Sequence, residues 1–99
     1  MSFGAKIADA RKKAGLSQKE LATKISISPQ YLNDIEHGKR NPDSDTLIET
    51  FAKSLEVDPA ILYYWARRIP PADVRQGVDD NKVVDAYNAF RKALKESKK

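Results

Sequence analysis

Two helix-start signals lie eleven residues apart, and they limit what this chain can fold into more than any other feature. The first is Ser17 with Glu20 three residues on, the capping-box spacing in which each side chain satisfies a backbone N–H of the other residue. Leu21, Ala22 and Ile25 then set an apolar stripe at helical spacing. The second signal is Ser28-Pro29, a capping hydroxyl followed by proline at the first helical position, where its missing N–H costs nothing. Leu32 and Ile35 turn inward, which leaves Pro29, Gln30, Asn33 and Asp34 on the outer side. Gly38 ends the segment in a left-handed conformation. Two short helices joined by a tight turn are predicted, the second presenting polar side chains.

The rest of the chain reads as further short helices. A first helix is expected from about Phe3 to Ala14, with Phe3, Ile7, Ala10 and Ala14 inward and Gly15 stopping it. Ser44 or Asp45 caps a fourth helix that buries Leu47, Ile48, Phe51, Ala52 and Leu55. Asp58-Pro59 opens a fifth, carrying Ile61, Leu62, Tyr64, Trp65 and, at its far end, Ile69. Pro70-Pro71 blocks continuation, so the domain edge is expected there: residues 1–69 as one unit, 70–99 as connector and last helix. One helical turn is expected at Ala72 to Arg75. A final helix is expected from about Asn81 to Glu96, followed by a frayed, charged tail. Its Val83, Tyr87, Phe90 and Leu94 recur at spacings of four, three and four, and so two-sided a helix must bury its apolar face against something. The fold class is all-α: a five-helix domain plus a C-terminal amphipathic helix.

Charge is unevenly spread. From Arg11 to Arg40 seven basic residues face three acidic ones, a balance of +4; from Asp43 to Asp58 one basic residue faces five acidic ones, a balance of −4. Basic charge beside the polar-faced helix suits a polyanion, because phosphate neutralisation supplies most non-specific affinity. Cysteine is absent, so no disulfide or thiolate chemistry is expected, and a reducing cytoplasm is the simplest setting. No apolar run approaches bilayer length, and residues 1–13 do not read as a secretory signal. His37 is the only histidine, and there is no Gly-rich phosphate loop or metal-spaced cluster, so no enzyme, cofactor or metal site is expected. Tyr63, Tyr64 and Trp65 read as packing or interface residues.

Arg11, Gly15-Leu16-Ser17-Gln18, Glu20-Leu21-Ala22, Ser28, Ile35-Glu36, Gly38 and Pro42 together resemble the lambda repressor/Cro-like (Xre-type) helix-turn-helix regulators. The likeness covers about residues 3 to 67, with the helix-turn-helix pair at about 17–36, and implies a prokaryotic or phage regulator of transcription that binds double-stranded DNA. It implies that the second helix of the pair enters the major groove while the first crosses the backbone. Carried across residue by residue, it assigns base reading to Pro29, Gln30 and Asp34. Gln30 is the adenine reader, Asp34 accepts from cytosine or excludes wrong bases, and Pro29 offers only apolar contact where some relatives carry a polar residue. Backbone contacts fall to Ser17, Gln18, Tyr31, Asn33, Lys39, Arg40 and Asn41. For each of these the alternative is an ordinary surface side chain, and for Tyr31 packing on a neighbouring helix. The likeness also implies a structural ion pair between Arg11 and Glu36.

Two functions follow as expectations. One is a homodimeric repressor on a palindromic operator, with the last helix either joining the dimer or folding back on its own domain. The other is an antitoxin or immunity-type protein that binds a toxin or protease and autoregulates its operon.

Overall fold

Each helix begins where a side-chain oxygen takes up a backbone donor that the helix itself leaves unpaired. Ser2 accepts from Ala5 N–H, Ser17 from Glu20, Ser28 from Tyr31, Ser44 from Leu47 and Asp58 from Ala60. Asp79 accepts from Lys82 N–H. In this computed structural model, which describes residues 2–68 and 79–97, these caps open α1 (Phe3–Lys13), α2 (Gln18–Ile25), α3 (Pro29–Glu36), α4 (Asp45–Leu55), α5 (Pro59–Ala66) and α6 (Asp80–Ser97). Among the described residues there are six helices and no strand, which is the expected all-α class. None of these helices is long and apolar enough to cross a membrane.

The first five helices are all followed by a left-handed residue: Gly15, Ser26, Gly38, Glu56 and Arg67, with φ between 54° and 77°. Only two of the five are glycines. Ser26 makes the tight turn of the helix pair, and Ile27 N–H then returns to the carbonyl of Ala22 at 3.0 Å.

The core is one cluster. Ile7 of α1, Leu21 of α2, Leu32 and Ile35 of α3, Ile48 and Phe51 of α4 and Leu62 of α5 are all buried. Phe3 and Phe51 meet edge to face, 6.1 Å between centroids, an arrangement that the ring quadrupole favours. α3 packs on both α1 and α2, while α5 closes over α1 and α4. α3 is thus held from behind by two helices. The buried stripe expected for α4 is found complete.

One inward assignment needs correction. Ala14 is exposed, because α1 stops at Lys13 and the chain turns before a further helical residue can face inward. On α5 the buried residues are Leu62 and Tyr63, whereas Ile61 and Tyr64 are exposed. Tyr63 tolerates burial because its hydroxyl donates toward Glu49 Oε2 at 3.3 Å and lies 3.5 Å from the carbonyl of Asp45. Burial is also the main reason that its phenol is pushed above the ordinary tyrosine value. Arg68 closes the domain by donating to Asp45 Oδ1 and to the carbonyl of Pro42, both at 3.0 Å. The expected edge at 69/70, Ile69, the turn at Ala72 to Arg75 and the last two tail residues lie outside the described residues.

One glycine has a packing role that periodicity does not reveal. Gly4, buried in the first turn of α1, lies against the backbone at the end of α3. A Cβ there would overlap the carbonyl oxygen of Ile35 and sit 2.7 Å from that of Glu36. The two helices therefore cross more closely than any side chain permits.

Candidate nucleic-acid interface

The polar face of α3 rests on a partly buried network at its inner flank. Arg11 Nε donates to Glu36 Oε2 at 2.7 Å and Arg11 Nη2 to Glu36 Oε1 at 3.0 Å, the two-pronged geometry that suits a guanidinium and a carboxylate. Arg11 Nη1 donates to the carbonyl of Leu16 at 2.9 Å, which fixes the turn between α1 and α2. Only 11% of the Arg11 side chain and 4% of the Glu36 side chain remain accessible. The hydrogen bond from Glu36 raises the Arg11 pKa despite the opposing effect of burial. The ion pair implied by the family resemblance is present.

Gln18 joins this network from α2. Its Nε2 donates to Glu36 Oε1 at 3.0 Å and to Asn33 Oδ1 at 3.2 Å. Both amide hydrogens of Gln18 therefore point inward, and its side chain offers a phosphate no donor. What remains for an anion is the backbone: the first N–H groups of α2, at Gln18 and Lys19, have no intrahelical partner, and Ser17 caps only Glu20. Ser17 and Glu20 complete the capping box reciprocally, at 2.9 and 3.0 Å. The Ser17 N–H is the main influence holding the Glu20 carboxyl below its ordinary range. Since Asn33 accepts through Oδ1, its NH₂ group is directed elsewhere as a donor.

The outward face carries Pro29 and Gln30, both exposed, with Asp34 half-buried one turn later. Gln30 Nε2 donates to Asp34 Oδ1 at 2.8 Å. The expected base-reading residues are thus neighbours on one surface, and two of them are joined. At the end of α3, His37 Nδ1 donates to the carbonyl of Asn33 at 2.8 Å, which accounts for the lone histidine as a helix-end contact.

The loop after α3 is organised by two sets of contacts. The N–H groups of Lys39 and Arg40 both reach the carbonyl of Asp34, at 2.8 and 3.3 Å, so these two residues can meet a phosphate only through their side chains. Tyr31 is half-buried against the core. The Arg40 guanidinium lies over its ring at 4.8 Å, and its hydroxyl accepts from Asp43 N–H at 3.3 Å. Burial pushes the Tyr31 phenol above its ordinary value. Packing is the part that Tyr31 visibly plays, and it positions Arg40. Lys39, Arg40 and Asn41 are exposed in the loop that follows α3.

A family model described as helix-turn-helix matches residues 7–62, more than half of the chain. The chain belongs to the lambda repressor-like (Xre-type) helix-turn-helix family. Within this family, it is 45% identical over 49 residues to the HTH-type transcriptional regulator ImmR of Bacillus subtilis (strain 168), which is 50% of this chain and 39% of ImmR. It is 34% identical over 73 residues to an uncharacterised HTH-type transcriptional regulator of Mycobacterium tuberculosis, 74% of this chain and 51% of that protein. The match thus spans about two fifths to one half of these relatives' length. Among solved structures, the biofilm master regulator SinR in complex with DNA aligns at a TM-score of 0.57 with 32% identity, over 61% of this chain and 95% of that one. The SinR/SinI complex aligns at 0.57 with 26% identity, over 97% of this chain and 94% of the other.

Beyond the helix-turn-helix domain, α6 meets α5 through Phe90 and Leu94. Phe90 lies 5.7 Å from Tyr64, and Phe90 and Leu94 border a shallow groove with Ala60, Ile61 and Trp65. Val83, Val84, Tyr87, Phe90 and Leu94 are all exposed on α6, Tyr87 the most at 63%.

Proposed function

We propose that this chain is a sequence-specific, double-stranded-DNA-binding regulator of transcription, working in the cytoplasm as a homodimeric repressor on a palindromic operator. The observation that carries the reading is the division of labour on α3. Its inner flank is locked to α1 and α2 through Glu36, Asn33, Gln18 and Arg11, while its outer face presents Pro29, Gln30 and Asp34 away from the core. A rigid helix with a free polar face is what base-edge recognition in the major groove requires. The helix start at Gln18, the Asn33 amide and the side chains of Ser17, Lys39, Arg40 and Asn41 would then meet phosphates, fixing register without reading sequence. Tyr31 supports Arg40 from beneath. The likeness to a regulator solved in complex with DNA supports this placement.

The test is affinity for duplexes from the chain's own promoter, measured across salt concentrations. Selective binding that weakens steeply with salt is expected. Gln30→Ala should reduce discrimination among operator variants by about tenfold, the scale of one two-pronged amide contact. Unselective binding by the wild type, or unchanged discrimination in the variant, rejects the reading.

One module reads only a few base pairs, so two copies about 34 Å apart on a palindrome are the economical arrangement. The exposed apolar face of α6 is the proposed dimer contact. Val84→Asp with Tyr87→Asp changes two exposed residues of α6, and should convert a dimer to a monomer in sedimentation equilibrium without altering the melt of the domain. A wild-type chain that is already monomeric favours the second reading, in which this face meets a different protein, a toxin or protease among the candidates. The near-complete alignment with a regulator solved together with a protein partner supports keeping that reading.

A further inference from the structure

The bond between Gln30 and Asp34 points to a rule of base choice. Asp34, as an ionised carboxylate, can only accept hydrogen bonds, so it is Gln30 Nε2 and not Oε1 that faces it at 2.8 Å. One of the two Nε2 hydrogens is thereby spent. The amide edge that remains has one acceptor, Oε1, beside one donor. In the major groove adenine offers a donor, N6, beside an acceptor, N7, whereas guanine offers two acceptors, O6 and N7. The remaining edge matches adenine at both points. Guanine would be met well only by an amide free to turn both Nε2 hydrogens toward it, and the bond to Asp34 opposes that turn.

We propose that Asp34 is a positioning residue that commits Gln30 to adenine over guanine. This rests on the DNA-binding function proposed above and adds which base the helix selects and by what device. Asp34 is suited to the task because its own backbone is fixed. Its carbonyl accepts from Lys39 and Arg40 N–H, at 2.8 and 3.3 Å, and its side chain is half-buried while Gln30 is exposed. The carboxylate is therefore the stationary partner and the glutamine the mobile one. The spacing of four residues places both on the same face of α3, one turn apart.

The experiment uses the full chain. Duplexes selected from a random pool by the wild type define the half-site, and the position where Gln30→Ala loses discrimination defines the base pair read by Gln30. Affinities for adenine and for guanine at that position are then compared, at one salt concentration, for wild type, Gln30→Ala, Asp34→Ala and the double variant. The wild type should prefer adenine about tenfold or more, and Asp34→Ala should narrow the preference to about threefold or less even while overall affinity rises from the lost negative charge. In the Gln30→Ala background the further change at Asp34 should leave the ratio unmoved, since the effect acts through the amide. An unchanged ratio in Asp34→Ala overturns the proposal. So does a shift that persists without Gln30, which would make Asp34 a reader in its own right, and so does a Gln30-dependent position that is not adenine. Failure of the wild type to select any DNA is a separate result, and it removes the underlying function as well.

Discussion

Gly4→Ala is expected to destabilise the domain by about 3 kcal/mol, the reverse of what the same change does at an ordinary helical site. In an open helix interior, alanine in place of glycine gains about 0.5–1 kcal/mol through reduced chain entropy. Here the new methyl would overlap the Ile35 carbonyl oxygen and come within 2.9 Å of the Glu36 carbonyl carbon. These are backbone atoms, with no rotamer to yield, so α1 and α3 must separate as bodies. Overpacking typically costs about 1–3 kcal/mol and occasionally more, and a rigid neighbour puts this case at the upper end. The separation would also pull Glu36 away from Arg11, whose Nε lies only 2.7 Å from Oε2. A drop in the urea midpoint at constant slope is the expected readout. Stability equal to or above wild type would mean that α1 and α3 can accommodate a side chain between them.

That crossing marks where sequence stops being informative. Caps are local chemistry, so Ser17 with Glu20, Ser28 with Pro29, and Asp58 with Pro59 were readable, and all three helices start where these residues stand. The buried side of α4 was readable because its apolar residues occupy only one face. α5 was not, since Ile61, Leu62, Tyr63, Tyr64 and Trp65 run consecutively and an all-apolar run has no phase. Which of them turns inward depends on acceptors brought in from α4, Glu49 and the carbonyl of Asp45. Ser26, Glu56 and Arg67 gave no sign of their left-handed backbone, because residue type there expresses no preference for it.

The surface of α3 divides in the same way. That Gln30 and Asp34 share a face followed from spacing, but that they bond to each other depends on rotamers that a sequence pattern does not encode. The inward turn of the Gln18 amide is a tertiary fact, set by a carboxylate from α3. The half-burial of Tyr31 likewise depends on Asp43 and Arg40, contributed by the loop beyond α3.

Removing one partner of the Arg11–Glu36 pair should cost more than any other single change considered for this chain, about 3–5 kcal/mol. Arg11→Met leaves a carboxylate that is 4% accessible with only the Gln18 amide as a side-chain donor. Glu36→Met leaves a guanidinium whose remaining partner is the Leu16 carbonyl, and leaves Gln18 held by Asn33 alone. The cost in each case is a stranded charge and not the worth of the bond itself. The double variant Arg11→Met with Glu36→Met should therefore be more stable than either single variant, because two long apolar side chains would fill the space without any charge to bury. Urea melts of all four proteins measure this as a coupling energy. DNA affinity should follow a different order. The double variant regains stability but not the hydrogen bond that holds Gln18 to Glu36, so its operator binding should remain below wild type even where it is fully folded. If binding instead recovers together with stability, the pair serves only to hold the fold, and the orientation of α3 is secured by apolar packing of Leu32 and Ile35 against α1 and α2.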